Sequence, residues 1–145
     1  NSESLLFKNT TFAYGVGGNT KANSSSWILQ EWKEPKTKRT WGYYRVLHEY
    51  GPNVKVKELT VDPGQKLSMQ RHEQRAEHWF VSEGTASVYG LDPSSDITLT
   101  TYQKHKSLHI PRQEWHMLAN ETTEPLKVVE IQYGENCVEE DIERK

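Results

Sequence analysis

The residues from 54 to 61 open with apolar and polar side chains in strict alternation, Val54-Lys55-Val56-Lys57. A period of two sends successive side chains to opposite faces of a strand. Segment 39–47 is rich in aromatic and β-branched types, and further short runs of strand character fall at 77–82, 85–89, 97–102, 107–110, 116–120 and 126–133. Gly84, Asp92-Pro93-Ser94-Ser95-Asp96, Pro111 and segment 121–125 supply the turns between them. No stretch after residue 37 keeps a helical period for more than two turns. Short strands at this spacing predict an all-β sandwich or small barrel over 38–145.

Residues 1–37 have weak periodicity. Leu5, Leu6, Phe7 and Phe12 suit an outer strand, and Ser24 to Ser26 suit the cap of a short helix carrying Trp27, Ile28, Leu29 and Trp32 up to Pro35. The segment is therefore expected to form an N-terminal arm packed over the barrel. Tyr14-Gly15-Val16-Gly17-Gly18-Asn19 reads as a turn. It is not a phosphate cradle, since no Gly-Lys-Ser/Thr follows and no strand–helix frame surrounds it. The charged tail Glu139-Glu140-Asp141-Ile142-Glu143-Arg144-Lys145 reads as a solvated end.

Composition narrows the function classes. A chain of 145 residues is most simply one domain. With 34% apolar and 26% charged residues it reads as soluble and rather polar. A net charge of -2 argues against nucleic-acid binding. No apolar run nears the roughly 18 residues a membrane span needs. The opening Asn1-Ser2-Glu3-Ser4 has no signal-peptide pattern, and the lone Cys137 excludes an intrachain disulfide. Both fit a reducing, cytoplasmic setting. Cys137 lacks a nearby Cys or His and reads as an inert thiol. The triplets at Asn9, Asn23 and Asn120 match the glycosylation sequon, but without an export signal they carry little weight.

The candidate chemistry gathers between Pro63 and Gly84. On a strand, Gln70 and His72 share one face, and Glu77 returns to it after a turn. His116 offers a second imidazole after the turn at Pro111. Two imidazoles, a carboxylate and an amide oxygen form a ligand set for one divalent metal ion. Zinc suits mixed nitrogen and oxygen ligands best, while manganese, cobalt, nickel and iron also fit.

The spacings around these residues resemble a family pattern. From Gly64 come Gln70, His72, Glu77 and Gly84 at the intervals of the first cupin motif, with Gln70 in its first His slot. Pro111, His116 and Asn120 keep the intervals of the second, whose two glycines are replaced by His105 and Gln113. Leu67-Ser68-Met69-Gln70-x-His72-x-x-Arg75-Ala76-Glu77-His78-Trp79 resembles the cupin half of type II mannose-6-phosphate isomerases. So do Trp41-Gly42-x-Tyr44, Gly84-Thr85-Ala86, Ile110-Pro111, Glu130-x-Gln132-x-Gly134 and Glu140-Asp141-Ile142-x-Arg144. The likeness runs from about Arg39 to Arg144. It implies a double-stranded β-helix, or jelly-roll barrel.

It also implies an isomerase that interconverts mannose 6-phosphate and fructose 6-phosphate by proton transfer through an enediol(ate). Arg75 lies between two ligands, and its planar fork suits a phosphate or an enediolate oxygen. Lys57 and Lys66 are further candidates for the phosphate, and Ser68 shares the inward face with Gln70 and His72. Glu130, in an apolar strand that would raise its pKa, and His78 are the candidate bases. Trp41, Trp79 and Trp115 suit packing at the barrel ends, with one of them available to a sugar face. Guanylyl transfer is not expected, because that domain needs a long additional N-terminal region. Two other readings stand beside the isomerase. One is a carbohydrate-binding or regulatory cupin without turnover. The other is a metal-dependent oxygenase, since His72, Glu77 and His116 alone make a two-His, one-carboxylate set. The expected partner is a small sugar phosphate, with pairing of two chains through edge strands and no nucleic acid or membrane.

Overall fold

Runs that alternate in burial make strands, and the computed structural model, which describes residues 35–145, is built of them. In chain order they are β1 (Thr37–Arg39), β2 (Gly42–Tyr50), β3 (Val54–Val61), β4 (Gln70–Arg71), β5 (Arg75–Glu83) and β6 (Ala86–Leu91). There follow β7 (Ile97–Tyr102), β8 (Ser107–Ile110), β9 (His116–Ala119), β10 (Leu126–Gly134) and β11 (Glu143–Arg144). One sheet runs β1-β2-β3-β10-β5-β8 and the other β11-β4-β9-β6-β7. All pairings are antiparallel, as in the jelly-roll barrel expected from the motif spacing. Among the described residues no helix is long and apolar enough to cross a membrane. The strand and helix expected within 1–34 lie outside the described residues.

The central strand β10 sets the layers. On its inward face Leu126 and Val128 are buried and apolar, then Glu130 and Gln132 are buried and polar, while Ile131 and Tyr133 are exposed. Its neighbours change in step. Val128 lies across from Leu59 and Val81, Glu130 from Lys57 and Trp79, and Gln132 from Lys55 and Glu77. The lower half of the barrel is thus a dry core of Leu59, Val61, Val81, Leu118, Leu126 and Val128. The upper half is lined with groups that do chemistry.

The charged tail corrects the expectation of a solvated end. β11 pairs with β4, setting Glu143 opposite Arg71 and Arg144 opposite Gln70. Arg71 Nε donates to Glu143 at 2.8 Å, and the Lys145 amide donates to Met69 O at 3.0 Å. The Glu143, Arg144 and Lys145 side chains stay exposed while the backbone completes a sheet edge, which a reading of side-chain polarity alone does not anticipate.

The two replaced motif glycines keep a glycine backbone. His105 and Gln113 have φ of 73° and 67°, a region that costs a non-glycine residue about 1–2 kcal/mol. Main-chain bonds hold both, His105 N to Val81 O and Gln113 N to His72 O, each at 2.7 Å.

The motif glycines Gly64 and Gly84 also have positive φ, 77° and 84°, but their surroundings differ. A Cβ at Gly64 meets nothing within 4 Å, whereas at Gly84 it would sit 2.4 Å from Pro125 O. Gly64→Ala should therefore cost only about 1 kcal/mol, the left-handed strain alone. Gly84→Ala must also push the turn before β10 away, and should cost at least about 3 kcal/mol. Urea unfolding of the two variants checks this; equal losses would show that space at Gly84 is not the constraint.

Candidate metal centre

β5 carries the centre because its inward residues run Arg75, Glu77, Trp79, Val81. His116 opens β9 and pairs with Gln70 of β4, and His72 follows β4 directly. These strands bring His72, Glu77 and His116 together, all buried, with one ligand atom from each lying within 4.8 Å of the others. His72 Nε2 is 3.3 Å from Glu77 Oε2, and His116 Nε2 is 3.7 Å from Glu77 Oε1. Bonds of about 2.0–2.1 Å to a tetrahedral ion separate its ligands by roughly 3.3 Å, so the spacing suits a divalent cation.

The orientation of the rings fits one as well. His72 Nδ1 lies 2.6 Å from Asp141 O, and His116 Nδ1 lies 2.9 Å from Glu114 O. A carbonyl only accepts, so each neutral ring carries its proton on Nδ1 and keeps a lone pair on Nε2. Metal-binding histidines are commonly fixed this way. Burial, then the Arg75 charge, holds His72 down to about 4, and burial also lowers His116. Their short contacts with Glu77 are therefore not ion pairs near neutral pH. Glu77 is held by side-chain donors: Trp79 Nε1 reaches Oε1 at 3.0 Å, and Arg75 Nε reaches Oε2 at 3.1 Å. Arg75 also approaches His72 Nε2 to 3.3 Å, so a bound cation competes with the guanidinium for that lone pair.

Gln70 and Glu130 line a small cavity with Glu77 and His116. A larger cavity of about 390 Å³ adjoins it, and Gln70, Arg75 and Glu130 belong to its wall too. Arg39, Lys57, Lys66 and Arg144 add positive charge to that wall, and Trp41 and Tyr44 add aromatic surface. Burial, then the charge of Glu77, pushes Glu130 up to about 7. Lys57 is 4% exposed, lies 4.3 Å above the Tyr44 ring and bonds Glu139 at 2.5 Å. Burial alone would raise the Glu139 pKa, but the Lys57 bond and charge, together with the charges of Arg75 and Lys55, outweigh it and leave it lowered.

Most expected site residues meet here. His72, Glu77 and His116 face one another, Gln70 and Glu130 line a small cavity with Glu77 and His116, and Arg75 bonds Glu77, while the Gln70 amide nitrogen donates to Ser68. Ser68 and Lys66 are exposed and line the outer part of the larger cavity. His78 is the exception and is corrected. It follows the inward Glu77 on the same strand, points outward and is exposed, opposite Ile131 and His109. Alternation removes it from the cavity and from the role of base. Trp79 does more than pack, since its indole holds the metal-site carboxylate. Trp115 instead lies between Arg71 and Lys145, 4.8 and 5.1 Å from its ring. Buried Cys137 has its pKa raised by burial, which keeps the thiol protonated.

Sequence reasoning missed the tail. Asp141 accepts the amides of Glu73 at 3.0 Å and Gln74 at 2.8 Å through its carboxylate, while its carbonyl orients His72. Val138 O accepts Arg75 Nη1 at 3.0 Å. The one available signal was the motif match at Glu140-Asp141-Ile142-x-Arg144.

Comparisons with known proteins agree on a family. The family model described as mannose-6-phosphate isomerase C-terminal matches residues 29–145. The alginate biosynthesis protein AlgA of Pseudomonas aeruginosa is 42% identical over 106 residues, 73% of this chain and 21% of its own. A mannose-1-phosphate guanylyltransferase of Salmonella muenchen is 41% identical over the same shares. The chain spans about a fifth of the length of these relatives. Among solved structures, the capsular polysaccharide assembling protein CapF of Staphylococcus aureus superposes with a TM-score of 0.68 at 14% identity, over 77% of this chain and 34% of that one. At that identity the likeness shows the fold.

Two predictions follow from the geometry. Asp141→Ala keeps the carbonyl that bonds His72 but removes the carboxylate that ties the segment to the Glu73 and Gln74 amides. The loosened strap should weaken divalent-metal binding, zinc taken as the probe, up to about 10-fold while shifting the melting temperature by only a few degrees. Competition with a chromophoric chelator measures it; unchanged zinc affinity would make the Asp141 contacts purely structural.

The second concerns pH in chelator-treated protein. Folded His72, held at about 4, takes up protons less readily than the unfolded residue near 6.5, so its share of stability is present above 6.5 and lost as pH falls toward 4. Glu130 acts oppositely: its share is complete below about 4.5 and lost as pH rises through about 7. The two slopes offset each other in the wild type. Glu130→Gln should leave the histidine slope alone, with stability rising by about 2–3 kcal/mol between pH 4.5 and 6.5. Urea unfolding across that range tests it, and a flat profile in the variant would sink the assignment.

Proposed function

This chain belongs to the mannose-6-phosphate isomerase C-terminal family, and from that premise we propose that its barrel is a metal-dependent isomerase site for mannose 6-phosphate and fructose 6-phosphate. The observation that carries the reading is one juxtaposition. His72, Glu77 and His116 converge beside a cavity of about 390 Å³ whose wall is rich in cations. Its volume falls in the range of small-molecule sites. A dianionic sugar ester needs both halves, ligands for a cation at its reacting end and positive charge for its phosphate.

Each residue then has a task. Gln70, His72, Glu77 and His116 hold a divalent cation, zinc by the chemistry of the donor set. When bound, that cation supplies a Lewis acid that offsets charge growing on the substrate carbonyl oxygen. Arg75 stands between the centre and the larger cavity, and its fork binds an oxygen of the enediolate. Lys57 and Lys66 attract the phosphate, and Ser68 bonds the sugar. Glu130, in the wall of both cavities, takes the proton from C2 and returns it to C1, while the hydroxyl proton passes from O2 to O1, so the aldose becomes the ketose with no atom gained or lost. Such a positioned base contributes about 10²–10⁴-fold.

A coupled assay for fructose 6-phosphate, run on zinc-loaded and chelated protein, tests the proposal. Turnover should follow zinc, and Arg75→Lys should lower kcat at least about 100-fold while zinc content stays the same. Saturable sugar-phosphate binding with no turnover under any of the five metals would replace the isomerase with a carbohydrate-binding cupin. Turnover unaffected by Arg75→Lys would remove Arg75 from the chemistry.

A further inference from the structure

Among the described residues, the polar half of the barrel holds one buried side-chain acceptor that no other protein group satisfies. Gln132 is 1% exposed and lines the larger cavity. Its Nε2 donates to Glu130 Oε1 at 2.8 Å. Its Oε1 is the one buried side-chain nitrogen or oxygen among the described residues without a partner. A native fold rarely tolerates such a group without a reason. The amide cannot relieve the problem by turning over. Exchange of the two ends would set Oε1 against Glu130, which only accepts when ionised, and in either protonation state of Glu130 it would leave the NH2 group unpaired instead.

Its position says what would satisfy it. Gln132 lies directly across from Glu77 of the metal centre on one side and from Lys55 on the other. It lines the larger cavity with Arg75 and Glu130, the two residues that the proposed function places at the reacting end, while the exposed Lys66 and Arg39 also line its wall. An acceptor needs a donor. Of the groups a sugar phosphate carries, the phosphate dianion and the carbonyl offer only acceptors, so its hydroxyls are the donors.

We propose that Gln132 is a specificity-determining residue whose side-chain carbonyl accepts a hydrogen bond from a hydroxyl at the non-phosphorylated end of the sugar. The inference rests on the sugar-phosphate reading above and adds the recognition of the polyol end to it. A ligand that carries the hydroxyl fills an otherwise unmet acceptor, and a ligand that lacks it leaves the acceptor buried and unpaired. Sites built this way reject the deficient analogue strongly.

The test uses zinc-loaded protein and two probes, mannose 6-phosphate and inorganic phosphate, with binding followed by tryptophan fluorescence. Gln132→Met keeps the length of the side chain and removes the acceptor. It should weaken mannose 6-phosphate about 10- to 100-fold, which corresponds to ~1.4–2.8 kcal/mol. Inorganic phosphate should bind within about twofold of the wild type, and zinc content should not change. Equal loss for both probes, no loss for either, or loss of zinc would each overturn the proposal. If Gln132→Met does not fold, the wild type still decides. With 13C-labelled glutamine side chains, the Gln132 carbonyl resonance should move on adding mannose 6-phosphate and stay still with phosphate. An unmoved resonance despite saturable sugar binding sinks this inference alone. A wild type that binds phosphate but not mannose 6-phosphate sinks the sugar-phosphate reading itself.

Discussion

The register of β10 between β3 and β5 is the constraint on which the rest depends. It stacks Val128 with Leu59 and Val81, then Glu130 with Lys57 and Trp79, then Gln132 with Lys55 and Glu77. Because side chains alternate with a period of two, a slip by one residue would turn Glu130 and Gln132 to solvent and bring Ile131 and Tyr133 inside. The apolar layers are what fix the register, since only one alignment buries Leu126 and Val128 together with Val61 and Val81. Packing of the dry half thus determines which polar groups face one another in the other half. Glu77, Glu130 and Gln132 sit on strands of the six-stranded sheet that hold the core, while His72 and His116 come from the other sheet, after β4 and at the start of β9, so the packing of the two sheets sets the geometry of the site.

Burying this many polar groups requires that nearly all be paired. The histidines receive backbone carbonyls, the carboxylate receives the Trp79 indole and the Arg75 guanidinium, and Lys57 receives Glu139. Unpaired charges in such surroundings would cost several kcal/mol each. Two of these partners, the Asp141 carbonyl and Glu139, come from the tail, so the ligand set is complete only once the chain has returned across the barrel mouth. The arrangement joins residues 138–141 to the chemistry at the centre through hydrogen bonds.

Much of this was legible in the residues. The alternation of β3 and the apolar start of β10 gave the strands, and Gln70, His72, Glu77 and His116 could be gathered because their spacing survives folding. Even the loss of both glycines at His105 and Gln113 left the turns intact, because the main-chain bonds there fix the backbone whatever the side chain. The same alternation also decided against His78. Neighbours on a strand face opposite ways, so Glu77 and His78 could not both enter one pocket. What stayed hidden was short or made of backbone. β1, β4 and β11 have two or three residues each, too few to display a period. Asp141 acts on His72 through its carbonyl, an atom every residue carries and no composition reveals.

Glu130 and Gln132 bring these threads to one place. Both are polar where the first half of the strand is apolar, both sit two residues apart on one face, and they bond each other. A fold selected only for stability would continue the apolar run of Leu126 and Val128, gaining roughly 1.5–3 kcal/mol for each buried aliphatic side chain. The chain instead accepts a carboxyl raised to about 7 and an amide oxygen with no partner. Departures of this kind from the rule that buried polar groups are satisfied concentrate where a protein must recognise something else. The dry layers beneath make the departure tolerable, and the triad beside it, which could hold a metal ion, gives that recognition a chemical purpose.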